Sequence, residues 1–166
     1  MRFAYADPPY VGQAKKHYSK ESSYKGEVNH KELIDRLMKE FPDGWVLSCS
    51  SPSLKQLLSY CPDGVRIMAW VKPFASFKPN VNPAYAWEPL IVWAGRKRTR
   101  DMPTVRDWIS ANITLKKGLS GAKPKAVCYW IFEILGAQKG DELCDLFPGT
   151  DAVSESWKEK IEQEVR

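Results

Sequence analysis

The 166-residue sequence carries 25 lysine and arginine residues against 20 aspartate and glutamate residues, a formal net charge of +5. A chain of this length folds around a single core, so we expect one domain spanning 1–166. The four cysteines lack CxxC spacing and there are only two histidines, which argues against a disulfide framework and against a metal site. No stretch is apolar enough to span a membrane and no signal peptide is present, so we expect a cytoplasmic protein without a membrane partner.

The sequence opens with an apolar run that ends in Asp7-Pro8-Pro9-Tyr10. The run predicts a buried strand, and the prolines end it because they cannot continue a hydrogen-bonded ladder. The turn would then lie at the mouth of a sheet. The Asp7 carboxylate and the Pro8 carbonyl can accept the hydrogens of an exocyclic amine, while Tyr10 can stack on a planar base. An ordinary proline-rich turn is the alternative for this tetrapeptide by itself.

Strand and helix patterns alternate along the rest of the chain. Residues 11–28 are polar and predict a long loop, after which Asn29 is an N-cap for an amphipathic helix. Apolar runs predict further strands at 45–49, 65–71, 89–94 and 142–147. Helices are predicted after Ser51, Pro124 and Thr150, and a short helix is predicted around 105–111. This alternation predicts an α/β fold, with a mostly parallel sheet of about five strands and helices on both faces.

A second informative stretch lies in the last third of the chain. Lys123-Pro124 opens a helix, and Gly140-Asp141 precedes a strand that continues into Asp145-Leu146-Phe147-Pro148-Gly149-Thr150. A strand that turns at a glycine into a helix N-terminus leaves backbone N–H groups free to hold an anionic or polar ligand group. If the first and last strands are neighbours, this turn and the Asp7 motif meet at one edge of the sheet.

These motifs, in this order, resemble the amino-methylating DNA methyltransferases that use S-adenosylmethionine (SAM), in the circularly permuted form where the catalytic motif precedes the cofactor motifs. The sequence is also similar to small phage-type methyltransferases, for which the cytoplasm would be that of the host. The resemblance implies a Rossmann-like methyltransferase fold, truncated relative to full-size members. It implies SAM as cofactor, DNA as partner and methyl transfer to an exocyclic amine. An aspartate at the first motif position, here Asp7, is more typical of adenine N6 methylation.

The resemblance also assigns site residues. The catalytic residues are Asp7, Pro8, Pro9 and Tyr10. The cofactor-binding residues are expected at the two strand ends and at the start of the helix that Lys123 opens: Ala6, Asp7, Lys123, Pro124, Asp145, Phe147, Pro148, Gly149, Thr150 and Asp151.

Target recognition is expected in the irregular segments 72–88 and 95–122. Their aromatic residues would supply stacking surfaces beside phosphate contacts, or alternatively pack a second small core: Phe74, Phe77, Tyr85 and Trp87. Basic residues expected to contact nucleic acid, or alternatively to be solvated loop charges, are Lys15, Lys16, Lys72, Lys78, Arg96, Lys97, Arg98 and Arg100. Glu88 is assigned no role.

Two features depart from the family pattern. Asp151 stands where the family has a glycine, and it either caps the last helix or weakens binding of the methionine carboxylate. The chain also stops one helix after the cofactor strand, before the acidic residue that grips the cofactor ribose. Either another segment or a second subunit of a homo-oligomer completes the site, or the donor binds weakly, or methylation is not catalysed. The alternative functions are a catalytically degenerate methyltransferase fold that binds nucleic acid or regulates, and methylation of RNA or another amine.

Overall fold

The computed structural model describes residues 1–12, 27–74, 79–114 and 122–163. One sheet contains the strands β1 (Arg2–Ala6), β2 (Gly44–Ser48), β3 (Arg66–Val71), β4 (Trp87–Ala94), β5 (Trp108–Ser110) and β6 (Glu142–Asp145), in the order β5-β3-β4-β2-β1-β6. The α-helices of the described part are α1 (His30–Glu40), α2 (Leu54–Leu58), α3 (Lys125–Leu135) and α4 (Ala152–Gln163), and a 3-10 turn at Ser51–Ser53 precedes α2.

The sheet is mixed. β1 is parallel to both β2 and β6, and β3 is parallel to β5, but β4 is antiparallel to β2 and β3. A parallel neighbour requires a long crossover, usually helical, whereas the consecutive strands β3 and β4 pair antiparallel, and the Lys72 N–H donates to the Ala86 carbonyl at 2.8 Å. The first and last strands are neighbours, the condition under which the two sequence motifs meet, because Tyr5 of β1 lies opposite Asp145 of β6.

The prediction of a helix around 105–111 is wrong, because this segment contains strand β5. Ile109 pairs with Trp70 of β3, and the Ala111 N–H continues the ladder to the Val71 carbonyl at 3.1 Å. The Trp70 indole also donates to the Ala111 carbonyl at 2.8 Å. Aromatic and β-branched residues in the segment favour a strand, and pairing along the edge of β3 outweighs the weak helical pattern.

Helices cover both faces of the sheet. Phe3 and Tyr5 pack with apolar residues of α3 and α4, whereas Ala4 and Ala6 pack with residues of α1 and α2. This split follows from the two-residue period of a strand. At the start of α1 the predicted cap forms, since the Asn29 side chain accepts the Glu32 N–H at 3.2 Å. Among the described residues, no helix is both long enough and apolar enough to cross a bilayer.

Candidate active site

The two sequence motifs meet at one edge of the sheet. Tyr5 is in register with Asp145, and the Leu146 N–H donates to the Tyr5 carbonyl at 2.9 Å. Asp7 therefore leaves β1 beside the turn that follows β6. Ligands of open α/β sheets bind at the carboxyl ends of parallel strands, so this edge is the candidate active site.

Asp7 is held by a buried lysine from the loop before α3. The Lys123 Nζ atom lies 2.6 Å from Asp7 Oδ2, and the lysine side chain is only 7% exposed. Burial and the nearby Glu88 carboxylate raise the pKa of Asp7, and the Lys123 ammonium opposes this shift. Burial lowers the pKa of Lys123, but Asp7, Tyr5 and Glu88 outweigh that effect and raise it well above its usual range. Lys123 is therefore an ammonium group.

Glu88 is a site residue to which the sequence assigned no role. Its side chain is 4% exposed, and its two oxygens lie 3.0 Å from Lys123 Nζ and 3.0 Å from Lys72 Nζ. Burial raises the pKa of Glu88, but the two ammonium groups outweigh burial and lower it. Both ammonium groups also lie over the ring of Trp70, at 4.5 Å for Lys72 and 5.4 Å for Lys123. The available signal was a lone charge inside the apolar strand β4.

Two tyrosines line the same cluster. The Tyr5 hydroxyl is buried and lies 2.9 Å from Ser48 Oγ, which satisfies its hydrogen bonding. Burial and the Glu88 and Asp7 carboxylates raise the pKa of Tyr10 far above its usual range. Tyr10 is therefore a neutral phenol close to Glu88, at the end of the Asp-Pro-Pro-Tyr turn.

The turn after β6 has an unusual backbone. Gly149 and Asp151 have φ values of 49° and 58°, the left-handed region that glycine adopts without strain. The Asp151 N–H donates to the Pro148 carbonyl at 2.7 Å, and the Asp151 carbonyl accepts the Glu155 N–H at 2.9 Å. Asp151 thus occupies the position at which α4 begins, in a glycine-like conformation.

Negative charge accumulates at this turn. Asp145 Oδ1 accepts the Phe147 N–H at 3.2 Å. Burial and the Asp7 and Asp151 carboxylates raise the pKa of Asp145 to about 6. Two carboxylates attract a cationic part of a ligand and repel an anionic part. A Cβ atom on Gly149 would meet nothing closer than the Phe147 carbonyl at 3.8 Å, so the backbone of the turn is open on that side.

For the remaining residues expected at the cofactor, the structure gives burial and position in the fold. Ala6 is fully buried in β1, so it contributes packing and backbone. Pro124 immediately precedes α3, Thr150 is half-buried, and Pro148 is exposed. No group of three or more side chains suited to hold a metal ion occurs in the described part of the chain.

Two of the expected nucleic-acid contacts lie at the opposite edge of the sheet. β4 is antiparallel to β2, so its end, with Arg96 and Arg98, lies far from Asp7. Arg96 donates to the Gly136 carbonyl at 2.9 Å and to Asp141 at 2.6 Å. Arg98 donates to the Pro103 carbonyl at 2.8 Å and also to the Glu133 carbonyl. These arginines bind the end of α3, and a nucleic-acid contact by them stays a prediction.

The other expected contacts divide into three groups. Lys72 belongs to the Glu88 cluster, as described above. Lys97 and Arg100 are exposed beyond the end of β4. The residues outside the described part of the chain are Lys15, Lys16, Phe77 and Lys78.

Exposed aromatic residues lie at the same edge of the sheet as Asp7. β3 ends and β4 begins there, since Val71 pairs with Trp87. The exposed fractions of Phe74, Tyr85 and Trp87 are 63%, 59% and 40%. The alternative that these three side chains form a second buried core is therefore wrong.

No family model matches the sequence. No curated protein matches it either. Two solved structures are similar to it. The M1.HpyAVI-SAM complex has a TM-score of 0.64 and 18% identity, with 96% of this chain and 78% of that chain covered. A structure of M1.HpyAVI has a TM-score of 0.60 and 16% identity, with 96% and 76% covered. At these identities the likeness is one of fold, and the predicted Rossmann-like methyltransferase fold is confirmed.

Proposed function

We propose that this chain transfers a methyl group from SAM to an exocyclic amine of a DNA base, with adenine N6 as the acceptor. The observation that carries the proposal is the placement of Asp7 beside the turn after β6, with Tyr5 and Asp145 in register. A methyl donor on the turn would face an amine held by Asp7. The similar M1.HpyAVI structure, which contains SAM, supports this choice of donor.

The donor half of the site would use the turn and the start of α4. When bound, SAM supplies an electrophilic methyl group on a positively charged sulfur. The carboxylates of Asp145 and Asp151 favour that positive charge, and Gly149 leaves room for a close approach to the backbone. The Asp151 charge disfavours the methionine carboxylate, so we expect modest affinity for the donor.

The acceptor half would use the Asp-Pro-Pro-Tyr turn. Asp7 and the Pro8 carbonyl accept the two N–H hydrogens of the amine, which directs its lone pair toward the donor. The nitrogen would gain the methyl group as the methyl–sulfur bond of SAM breaks, with that bond's electron pair left on the now neutral sulfur, and one N–H proton would pass to solvent. Tyr10, a neutral phenol, packs against the base. Positioning of the two reactants accounts for most of the acceleration, because no covalent enzyme intermediate is needed.

DNA is the proposed partner because the candidate site is bordered by exposed aromatic side chains. A base inside a duplex cannot reach Asp7, so it must leave the stack, at a cost of a few kcal/mol. Phe74, Tyr85 and Trp87 offer exposed rings at this edge of the sheet, on which unpaired bases can stack. Lys72 adds a positive charge beside them.

A second candidate function is a catalytically inactive module that binds nucleic acid or regulates. Asp151 favours it, because its carboxylate lies at the turn where the methionine carboxylate of the donor would bind. Calorimetric titration with SAM, with and without DNA, distinguishes the two candidates. Absence of SAM binding in both titrations would exclude the catalytic function.

Expression in a host without DNA methylation tests the substrate. We expect N6-methyladenine in the nucleosides of digested host DNA, detected by mass spectrometry, and far less of it with an Asp7→Asn variant. Detection of N4-methylcytosine instead would show that the acceptor is cytosine N4 and not adenine N6. Detection of methylated adenosine only in RNA would show that the substrate is RNA and not DNA.

A further inference from the structure

Glu88 is a buried carboxylate in a strand that is otherwise apolar. It is the second residue of β4, and its side chain points to the α3 face, as Leu90 and Val92 do. A buried charge is costly unless it is paired and hydrogen-bonded. A carboxylate kept at this position therefore needs partners, and the structure supplies two ammonium groups.

The four charges alternate in sign across the edge of the sheet. Asp7 contacts Lys123 at 2.6 Å, Lys123 contacts Glu88 at 3.0 Å, and Glu88 contacts Lys72 at 3.0 Å. We refer to these residues as the charge ladder. Two anions and two cations give it a net charge of zero. Lys123 is the central link, because one ammonium group serves both carboxylates.

Sharing Lys123 has a consequence for Asp7. Without the Glu88 charge, Asp7 would be the main counter-ion of a buried ammonium group and would be bound more tightly. A carboxylate held more tightly by one ammonium group has fewer lone-pair sites left for a second N–H donor. The Trp70 ring lies beside both ammonium groups and limits where they can move.

We propose that Glu88 is a positioning residue, which holds Lys123 between two carboxylates and so leaves Asp7 able to receive an amine. That Asp7 receives an amine depends on the proposed function, whereas the effect of Glu88 on the Asp7 carboxylate does not. The charged and titratable groups that face Asp7 come from several elements, and the proposal takes all of them as present: Tyr5 of β1, Cys49 after β2, Lys72 after β3, Glu88 of β4, Asp145 of β6, Tyr10 and Lys123.

Titration of the Asp7 carboxyl carbon by NMR tests the proposal directly. In Glu88→Gln the side chain keeps its shape but loses its charge, so we expect Asp7 to titrate at lower pH than in the wild type. In Lys72→Gln the opposite end of the ladder is neutralised, and we expect Asp7 to titrate at higher pH. Opposite shifts from two neighbouring substitutions would not arise from a merely structural role. Glu142→Gln is the matched control, because Glu142 is an exposed carboxylate paired with Arg2 at the other edge of the sheet.

Lys72→Gln also serves if Glu88→Gln does not fold, since the Lys72 side chain is 22% exposed and tolerates substitution better. Unchanged Asp7 titration in the folded variants overturns the proposal. In the catalytic assay we expect Glu88→Gln to lower kcat at least about tenfold with SAM affinity unchanged. If the variants shift the Asp7 titration but the wild type transfers no methyl group, the role of Glu88 is supported and the proposed function is rejected. If the wild type transfers methyl groups but the variants leave the Asp7 titration unchanged, the proposed function is supported and the role of Glu88 is rejected.

Discussion

The Nζ atom of Lys123 lies 2.6 Å from Oδ2 of Asp7, although the two residues are 116 positions apart in the sequence. Asp7 immediately follows the first strand, and Lys123 precedes the helix that covers one face of that strand. The contact therefore forms only when α3 packs on the sheet. It connects the proposed acceptor motif to the packed interior of the protein.

Replacement of Asp7 by asparagine tests the acceptor half of the site. Asparagine keeps the shape but offers one acceptor oxygen without charge, so we expect methyl transfer to fall by about 100-fold or more. Lys123 keeps Glu88 as a partner, so the free energy of unfolding should fall by only about 1–3 kcal/mol. Radiolabelled methyl incorporation and denaturant unfolding measure the two effects. Asp107→Asn, at an exposed carboxylate paired with Arg66, should change neither quantity. Full activity of Asp7→Asn would contradict the assigned role.

Asp145 should make stability depend on pH. Its pKa is raised to about 6 in the folded state, so between pH 4 and pH 6 the folded chain binds more protons than the unfolded chain. The contribution of Asp145 is complete below about pH 4 and is lost as the pH rises through 6. Asp145→Asn keeps the acceptor for the Phe147 N–H and removes the charge. We expect it to be more stable than the wild type by about 1–2 kcal/mol at pH 8 and equal at pH 4.

Urea unfolding at several pH values checks this expectation. Asp35→Asn is a suitable control, because Asp35 is exposed on α1 and pairs with Lys31. A constant difference in stability between Asp145→Asn and the wild type from pH 4 to pH 8 would refute the explanation.

Asp151 should limit both stability and donor affinity. Its φ of 58° is a conformation that costs a side chain free energy, so Asp151→Gly should raise the free energy of unfolding by about 0.5–1 kcal/mol. Loss of the carboxylate should also tighten SAM binding, as measured by calorimetry. Asp151→Asn separates the two effects, because asparagine removes the charge but keeps a side chain. Should Asp151→Gly lower stability, the aspartate would instead be a required cap of α4.

Tyr85 should contribute to binding of nucleic acid without affecting the donor. Its ring is 59% exposed, so Tyr85→Ser should leave the fold intact. Stacking on one base contributes about 1–3 kcal/mol, so the affinity for a single-stranded oligonucleotide should fall by about tenfold. Fluorescence anisotropy measures this affinity. Ile67→Thr is the control, because Ile67 is exposed near the other end of β3. Equal losses in both variants would indicate a general surface effect rather than stacking.

The sequence predicted the strands on either side of the site because their patterns are local. The apolar run that leads into Pro8, and the strand followed by the Phe147-Pro148-Gly149 turn, are recognisable from residues within a few positions of each other. The weak apolar pattern of 105–111 predicts a helix wrongly, since β5 is only three residues long and forms by pairing with β3. Such a short edge strand depends on its neighbour more than on its own sequence.

Gly140-Asp141 shows where a sequence motif had another role in the structure. The Asp141 carboxylate accepts hydrogen bonds from the Met1 amino group at 2.7 Å, from Arg96 at 2.6 Å and from the Gln138 N–H at 2.9 Å. Burial raises the pKa of Asp141, but these donors outweigh burial and lower it to about 2. Asp141 thus connects the ends of several elements at the edge opposite to Asp7.

By itself the sequence determined the two turns that carry the candidate site, because prolines and glycines act on the backbone within a few residues. It also determined which strand faces are apolar, through the two-residue period. Only the tertiary structure decided that Lys123 reaches Asp7, that Glu88 and Lys72 join them, and that Arg96 lies at the other edge. Ion pairs of this kind join residues far apart in the chain, so they depend on strand order and direction, which local patterns do not specify.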